Sequence, residues 1–200
     1  KLLDIDRITK LFAIGLRRQK IDYQIQLCFG IYLIHNSTVP INHMCDRALM
    51  ALRTVKGNAV THFAYYSDKM RLALLEETAI LDEMNSALQN GQFVPYLQPI
   101  FSVETGRPVS VEALVRWNHP TKGLIPPARF IPLFERNGFI VRLDYAIWEQ
   151  ACQVLAEWKR RGYHLPLSVN MSRIDLYHPH VCEDLIALTR KYDIEPGSLR

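Results

Sequence analysis

At 200 residues the chain has room for one medium domain or two small ones. An apolar share of 48% against 22% charged residues is that of a globular chain with a core to bury, and no unbroken apolar run approaches the roughly 18 residues of a membrane span. The formal charge of +4 suits an anionic ligand and falls far short of a nucleic-acid arm, so no nucleic acid polymer is expected as a partner.

The chain opens on Lys1-Leu2-Leu3-Asp4, without Met or an apolar leader, and reads as an internal cut. Residues 23–34 alternate, with Tyr23, Ile25, Leu27 and Phe29 on one face, as a half-buried strand requires. After the polar break Asn36-Ser37-Thr38, the spacing of Met44, Ala48, Leu49 and Leu52 predicts a helix over 41–54. Lys56-Gly57-Asn58 ends it, and 60–66 reads as another strand. Residues 68–90 form the most periodic helix: Met70, Leu74, Glu77, Leu81, Met84 and Leu88 step by four and three, with Asn90-Gly91 as a stop. Barely three heptads interrupted by Glu77 favour a connector docked on its neighbours over a coiled-coil dimer.

Beyond Gly91 the pattern changes. Residues 93–101 predict a strand, Thr105-Gly106 a turn and 109–117 a second strand. Helices are expected over 127–136, 144–161 and 180–192, with a strand at 166–172 between the last two. Lys159, Arg160 and Arg161 before Gly162 suit a helix C-terminus. Strands alternating with helices point to a parallel α/β sheet or barrel. Isolated Cys28, Cys45, Cys152 and Cys182 lack metal-finger spacing and read as small buried hydrophobes in a reducing compartment, hence the cytoplasm. The Asn-x-Ser/Thr triplets at Asn36 and Asn170 occur readily by chance.

Alternation over 109–117 places Val111, Ala113, Val115 and Trp117 on one face and Ser110, Glu112, Leu114 and Arg116 on the other. Over 166–172 the same rule groups Ser168, Asn170 and Ser172. A carboxylate and an amide carbonyl are ligands for a hard cation such as Mg²⁺, Mn²⁺ or Ca²⁺. An Arg beyond them would grip a phosphate through its planar fork. The same alternation also fits an antiparallel sheet with one wet face, where these are plain surface groups. His178-Pro179-His180 reads as a loop, Asp144 as a charge at the start of its helix, and Trp148 and Trp158 as core.

Several linked motifs then occur in order. They are Tyr96-Leu97-Gln98-Pro99, Val111-Glu112-Ala113-Leu114-Val115-Arg116-Trp117, Asn118-His119-Pro120, Gly123-Leu124-Ile125, Phe130-Ile131-Pro132 and Ser168-Val169-Asn170-Met171-Ser172. Together they resemble the opening of an EAL domain. The resemblance implies a TIM-type barrel that hydrolyses cyclic-di-GMP to the linear dinucleotide pGpG with Mg²⁺ or Mn²⁺. It carries metal-ligand roles onto Glu112, taken as catalytic, and Asn170. Gln98, Leu114 and Arg116 match positions that hold the dinucleotide, with Arg116 at a phosphate. The family's remaining metal carboxylates and its Lys would follow Arg200, so the chain reads as the N-terminal half of such a barrel, inactive alone.

The front segment, through Phe29-Gly30-Ile31, Asp46-Arg47-Ala48 and Lys56-Gly57-Asn58, resembles the back of a GGDEF domain. In one register Arg53 and Gly57 stand where active members carry Lys and Arg, which implies a degenerate, regulatory domain; a register shifted by one residue puts Lys56 in that role instead. The expected division is 1–67 GGDEF-like, 68–91 connector helix and 92–200 EAL. The alternative is a module that binds cyclic-di-GMP or a protein without cleavage. The resemblance further implies pairing through the EAL barrel and is compatible with a sensory domain or inner-membrane tether upstream.

Overall fold

The computed structural model describes residues 4–18, 27–58 and 60–200, and the chain divides into two compact units, Lys1–Leu75 and Glu76–Arg200. The first holds α1 (Ile5–Arg18), a helix the sequence reading did not anticipate, then β1 (Phe29–Ile31), α2 (Ile41–Val55) and β2 (Phe63–Tyr65). The part of the expected strand at 23–26 lies outside the described residues. β1 and β2 pair in parallel, Gly30 opposite Ala64, so the chain needs a crossover between them, and α2 supplies it. Gly30 lets that helix lie on the strand: a Cβ there would sit 1.9 Å from the Ala48 carbonyl oxygen and 2.5 Å from the Leu52 nitrogen. Arg47 donates to the Tyr32 hydroxyl at 2.5 Å and lies over the rings of Tyr32 and Tyr66.

α3 (Asp68–Gln89) belongs to the second unit from Glu76 on. There its seam is docked on its own chain: Leu81, Met84 and Leu88 pack around the same core as buried Ile80 and Ala87. Glu77, which breaks the seam, faces Arg136 at 3.1 Å, and Glu76 pairs with Arg129.

The second unit continues with β3 (Phe93–Phe101), β4 (Pro108–His119), β5 (Gly123–Ile125), α4 (Pro127–Asn137), α5 (Ile140–Arg160), β6 (Leu167–Val169) and α6 (Val181–Lys191). A single 3₁₀ turn, Asp175–Tyr177, lies between the last two. The connection Ser102–Arg107 is too short for a crossover, so β3 runs antiparallel to β4, as β5 does on the far end. β6, reached through two helices, is parallel to β4 and pairs Ser168 with Glu112. The sheet is therefore mixed, and the parallel expectation holds for β4 with β6. Leu199 bridges Leu167 in parallel, and the Val169 N–H donates to the Arg200 carbonyl, so residues 199–200 lie alongside β6.

Apolar clusters lie behind the sheet, one of them formed by Trp148, Cys152 and Leu188. Phe93, Trp117, Phe130, Phe134 and Phe139 interlock with ring centroids 4.8–6.3 Å apart. Val111, Ala113 and Leu167 meet Ala151 and Leu155 of α5. Left-handed Gly138 (φ 79°) turns α4 into α5. Of the four cysteines only Cys152 is buried, its thiol pushed up to about 11 chiefly by that burial; Cys45 and Cys182 are exposed, against the expectation of a buried set. Among the described residues no helix is long and apolar enough to cross a membrane.

Candidate functional site

β4 alternates as its sequence predicts: Val111, Ala113 and Trp117 are buried against the helices, while Glu112, Leu114 and Arg116 lie half-buried on the opposite face. Cross-strand pairing adds β3 to that face, with Gln98 opposite Glu112, Tyr96 opposite Leu114 and Val94 opposite Arg116. Asn170 directly follows β6, and its amide Nδ2 donates to Glu112 Oε1 at 3.0 Å. Two residues 58 positions apart thus converge where parallel β4 and β6 lie side by side. Gln98 shares the face, opposite Glu112 in the register. Arg116 is further along β4, its guanidinium donating to the Val115 carbonyl at 2.9 Å and lying over the Tyr96 ring at 5.9 Å.

Chemically, Glu112 and Asn170 offer a carboxylate and an amide oxygen, both hard donors. A divalent cation takes about six such ligands, so the pair fits as part of a shell rather than the whole. Among the described residues no group of three or more His, Cys, Asp or Glu gathers as a metal site; His178 and His180 lie in the bend and turn after the 3₁₀ turn, as the loop reading expected. Arg116 adds a positive planar fork on the same face, suited to a phosphate, and Tyr96 a ring beside it.

Two features escaped the sequence reading. β6 ends at Val169, so Ser172 is not a strand residue sharing a face with Asn170. Instead the Ser172 N–H and hydroxyl both donate to Asp175 Oδ2, at 2.8 and 2.6 Å. Asp144 is not at the start of its helix either. α5 begins at Ile140, and Asp144 lies a turn inside it, its Oδ2 accepting from the Ser172 N–H at 3.3 Å. Burial foremost, then the hydrogen bond and charge of Asp175, pushes the Asp144 carboxyl up to about 8. Trp148 is core, as expected, but its indole N–H also donates to the Asn170 carbonyl at 3.0 Å. A signal existed: Asp144, Trp148 and Cys152 recur every four residues along the buried stripe of α5.

Residues 81–200 match the family model described as the EAL domain. Over 98% of its length the chain is 26% identical to a Pseudomonas aeruginosa protein named bifunctional diguanylate cyclase/cyclic di-GMP phosphodiesterase MucR, of which it covers 28%. It is 32% identical over 70% of its length to the cyclic di-GMP phosphodiesterase NbdA of the same organism, covering 18% of it. Among solved structures, the MucR phosphodiesterase in complex with c-di-GMP superimposes with a TM-score of 0.58 at 31% identity, over 60% of this chain and 49% of that one. The chain thus spans under a third of these curated relatives.

Proposed function

The chain belongs to the EAL domain family, its second unit being part of a TIM-like α/β barrel, and from that premise we propose that it supplies part of the site of a cyclic-di-GMP phosphodiesterase. Homologues named for that activity support the reaction class. The observation that carries the reading is the meeting of Glu112 and Asn170 on the face that also presents Gln98, Leu114 and Arg116.

In this reading Glu112 and the Asn170 amide oxygen would hold Mg²⁺ or Mn²⁺ as two ligands of a larger shell. When bound, such an ion polarises a phosphodiester oxygen and lowers the pKa of water. Arg116 binds a phosphate of the dinucleotide, Gln98 and Leu114 position it across β3 and β4, and the product is the linear dinucleotide. Glu112, as a carboxylate, would be the charged ligand that anchors the ion.

Residues 1–67 are proposed as the tail of a degenerate GGDEF domain, in which β1–α2–β2 forms a parallel unit, and 68–91 as a connector helix.

The test is hydrolysis of cyclic-di-GMP by the full-length protein with Mg²⁺ or Mn²⁺. Glu112→Ala should lower turnover at least about a thousandfold while leaving thermal unfolding within a few degrees of wild type. Wild-type turnover in that variant would remove the metal role from Glu112. Binding of cyclic-di-GMP with no hydrolysis by the wild type would make the protein a sensor.

A further inference from the structure

Asn170 is placed by a segment whose main chain is held from within the protein although Asn170 itself is exposed. Immediately after β6, residues 170–172 are gripped at two points by one face of α5. Trp148 Nε1 holds the Asn170 carbonyl at 3.0 Å, and Asp144, four residues earlier and therefore one turn away on the same stripe, holds the Ser172 N–H at 3.3 Å. Asp175 closes the segment on itself. Its Oδ2 accepts from the Ser172 N–H and hydroxyl, and its own N–H donates back to the Ser172 Oγ at 3.2 Å. That reciprocal pair opens the 3₁₀ turn Asp175–Tyr177.

Asp175 is 1% exposed, the one buried charged side chain among the described residues, and its Oδ1 meets no donor N–H or fixed O–H. Leaving a buried carboxylate oxygen unpaired is costly. The neighbouring carboxyl is the group able to supply a proton. Two ionised carboxylates side by side in an apolar setting repel, and Glu135 adds negative charge nearby, whereas one proton between them converts the repulsion into a hydrogen bond.

We propose that Asp144, holding a proton directed at Asp175, acts with Asp175 and Trp148 as a set of positioning residues that fix the exit of β6 and so aim the Asn170 amide at Glu112. The proposal rests on the reading of Glu112 and Asn170 as metal ligands. With the Asn170 main chain fixed by its carbonyl on the α5 side, its side chain is left to face the carboxylate. Loss of the clamp frees residues 170–172 and blurs the one ligand that comes from beyond a strand end rather than from within it.

The test measures Mn²⁺ affinity by electron paramagnetic resonance in the full-length protein, with infrared detection of a protonated carboxyl near neutral pH. Asp144→Ala should weaken Mn²⁺ binding about 10–100-fold, the usual effect of losing an outer partner of a metal ligand. Asp144→Asn keeps an acceptor for the Ser172 N–H and gains a permanent donor towards Asp175, so it should recover most of that loss while abolishing the infrared band. Wild-type affinity in Asp144→Ala, alongside lost binding in a Glu112→Gln control, overturns the positioning role and leaves the ligand assignment standing. Unchanged binding in Glu112→Gln overturns the ligand assignment and the role with it. Absence of the protonated-carboxyl band in the wild type overturns the proton on Asp144.

Discussion

One face of β4 turns Val111, Ala113 and Trp117 into the helices behind it, and the other holds Glu112, Leu114 and Arg116 clear of them. The two sets are interleaved residue by residue, so the same backbone carries an aromatic core and a polar site less than 4 Å apart along the chain. The difference lies in what each side chain touches. Trp117 has ring neighbours on three sides and no exposure, while Arg116 beside it touches a carbonyl and one aromatic ring. Stability belongs to the odd-numbered face, and the proposed function assigns ligand chemistry to the even one. Substitutions can test that separation position by position.

Trp117→Ala should produce the largest loss of stability. It removes a fully buried indole from among Phe93, Phe130 and Phe134 and strands the Gln92 side-chain carbonyl that accepts its N–H at 2.9 Å. A cost of about 4 kcal/mol is expected from the cavity and the lost bond. Urea unfolding measures it. A change as small as that of a surface residue would break the assignment of stability to this face.

Asp144 sharpens the comparison because it is a polar group on the apolar, helix-facing side. Its native pKa of about 8 lies above the ordinary 3.8, so the folded protein keeps a proton that the unfolded chain has lost between those values. Wild-type stability should therefore fall as pH rises from about 4 to about 8 and level off beyond. Asp144→Asn lacks that fall. It should match wild type near pH 4 and be more stable by on the order of 3 kcal/mol at pH 8, read from urea midpoints at the two pH values.

On the even face, Arg116→Ala should leave unfolding unaltered and weaken cyclic-di-GMP binding by about 2 kcal/mol, the worth of a charged hydrogen bond. Calorimetric titration of the full-length protein measures it. Equal affinity would separate Arg116 from the phosphate.

This division was largely legible in the sequence because a strand's alternation states both faces at once. It placed Glu112 with Arg116 and Trp117 with Val111 before any contact was known. The helices 127–136 and 180–192 came within about a residue of α4 and α6, whose apolar stripes are local properties. The turn at Thr105-Gly106 likewise marks the hairpin that makes β3 antiparallel. What stayed hidden was set by distant partners. The alternation of 166–172 runs on through Ser172, yet β6 stops at Val169 because Asp144 and Asp175 capture the Ser172 N–H. No local window shows a carboxyl arriving from 28 residues away. The same long reach turned Asp144 from a helix-start charge into a buried group.

The smallest effect lies at the far end of β4. His119 continues the helix-facing row beyond Trp117 and meets Glu83 of α3, which also accepts from Lys122 Nζ at 2.7 Å. These two bonds, that of Lys122 first, hold the Glu83 carboxyl below its ordinary 4.5. A depressed carboxylate adds stability above its unfolded pKa and loses it as pH falls through the folded value. Glu83 is 37% exposed, so solvent screens the pair and the gain is modest. Glu83→Gln should cost about 0.5–1 kcal/mol near neutral pH, less in high salt, and nothing once Glu83 itself is protonated in acid. Cyclic-di-GMP affinity should not move, because Glu83 ties α3 to the odd-numbered row through His119 and Lys122. A shift in affinity with unchanged stability would couple the two faces through α3 and end the separation on which the other predictions stand.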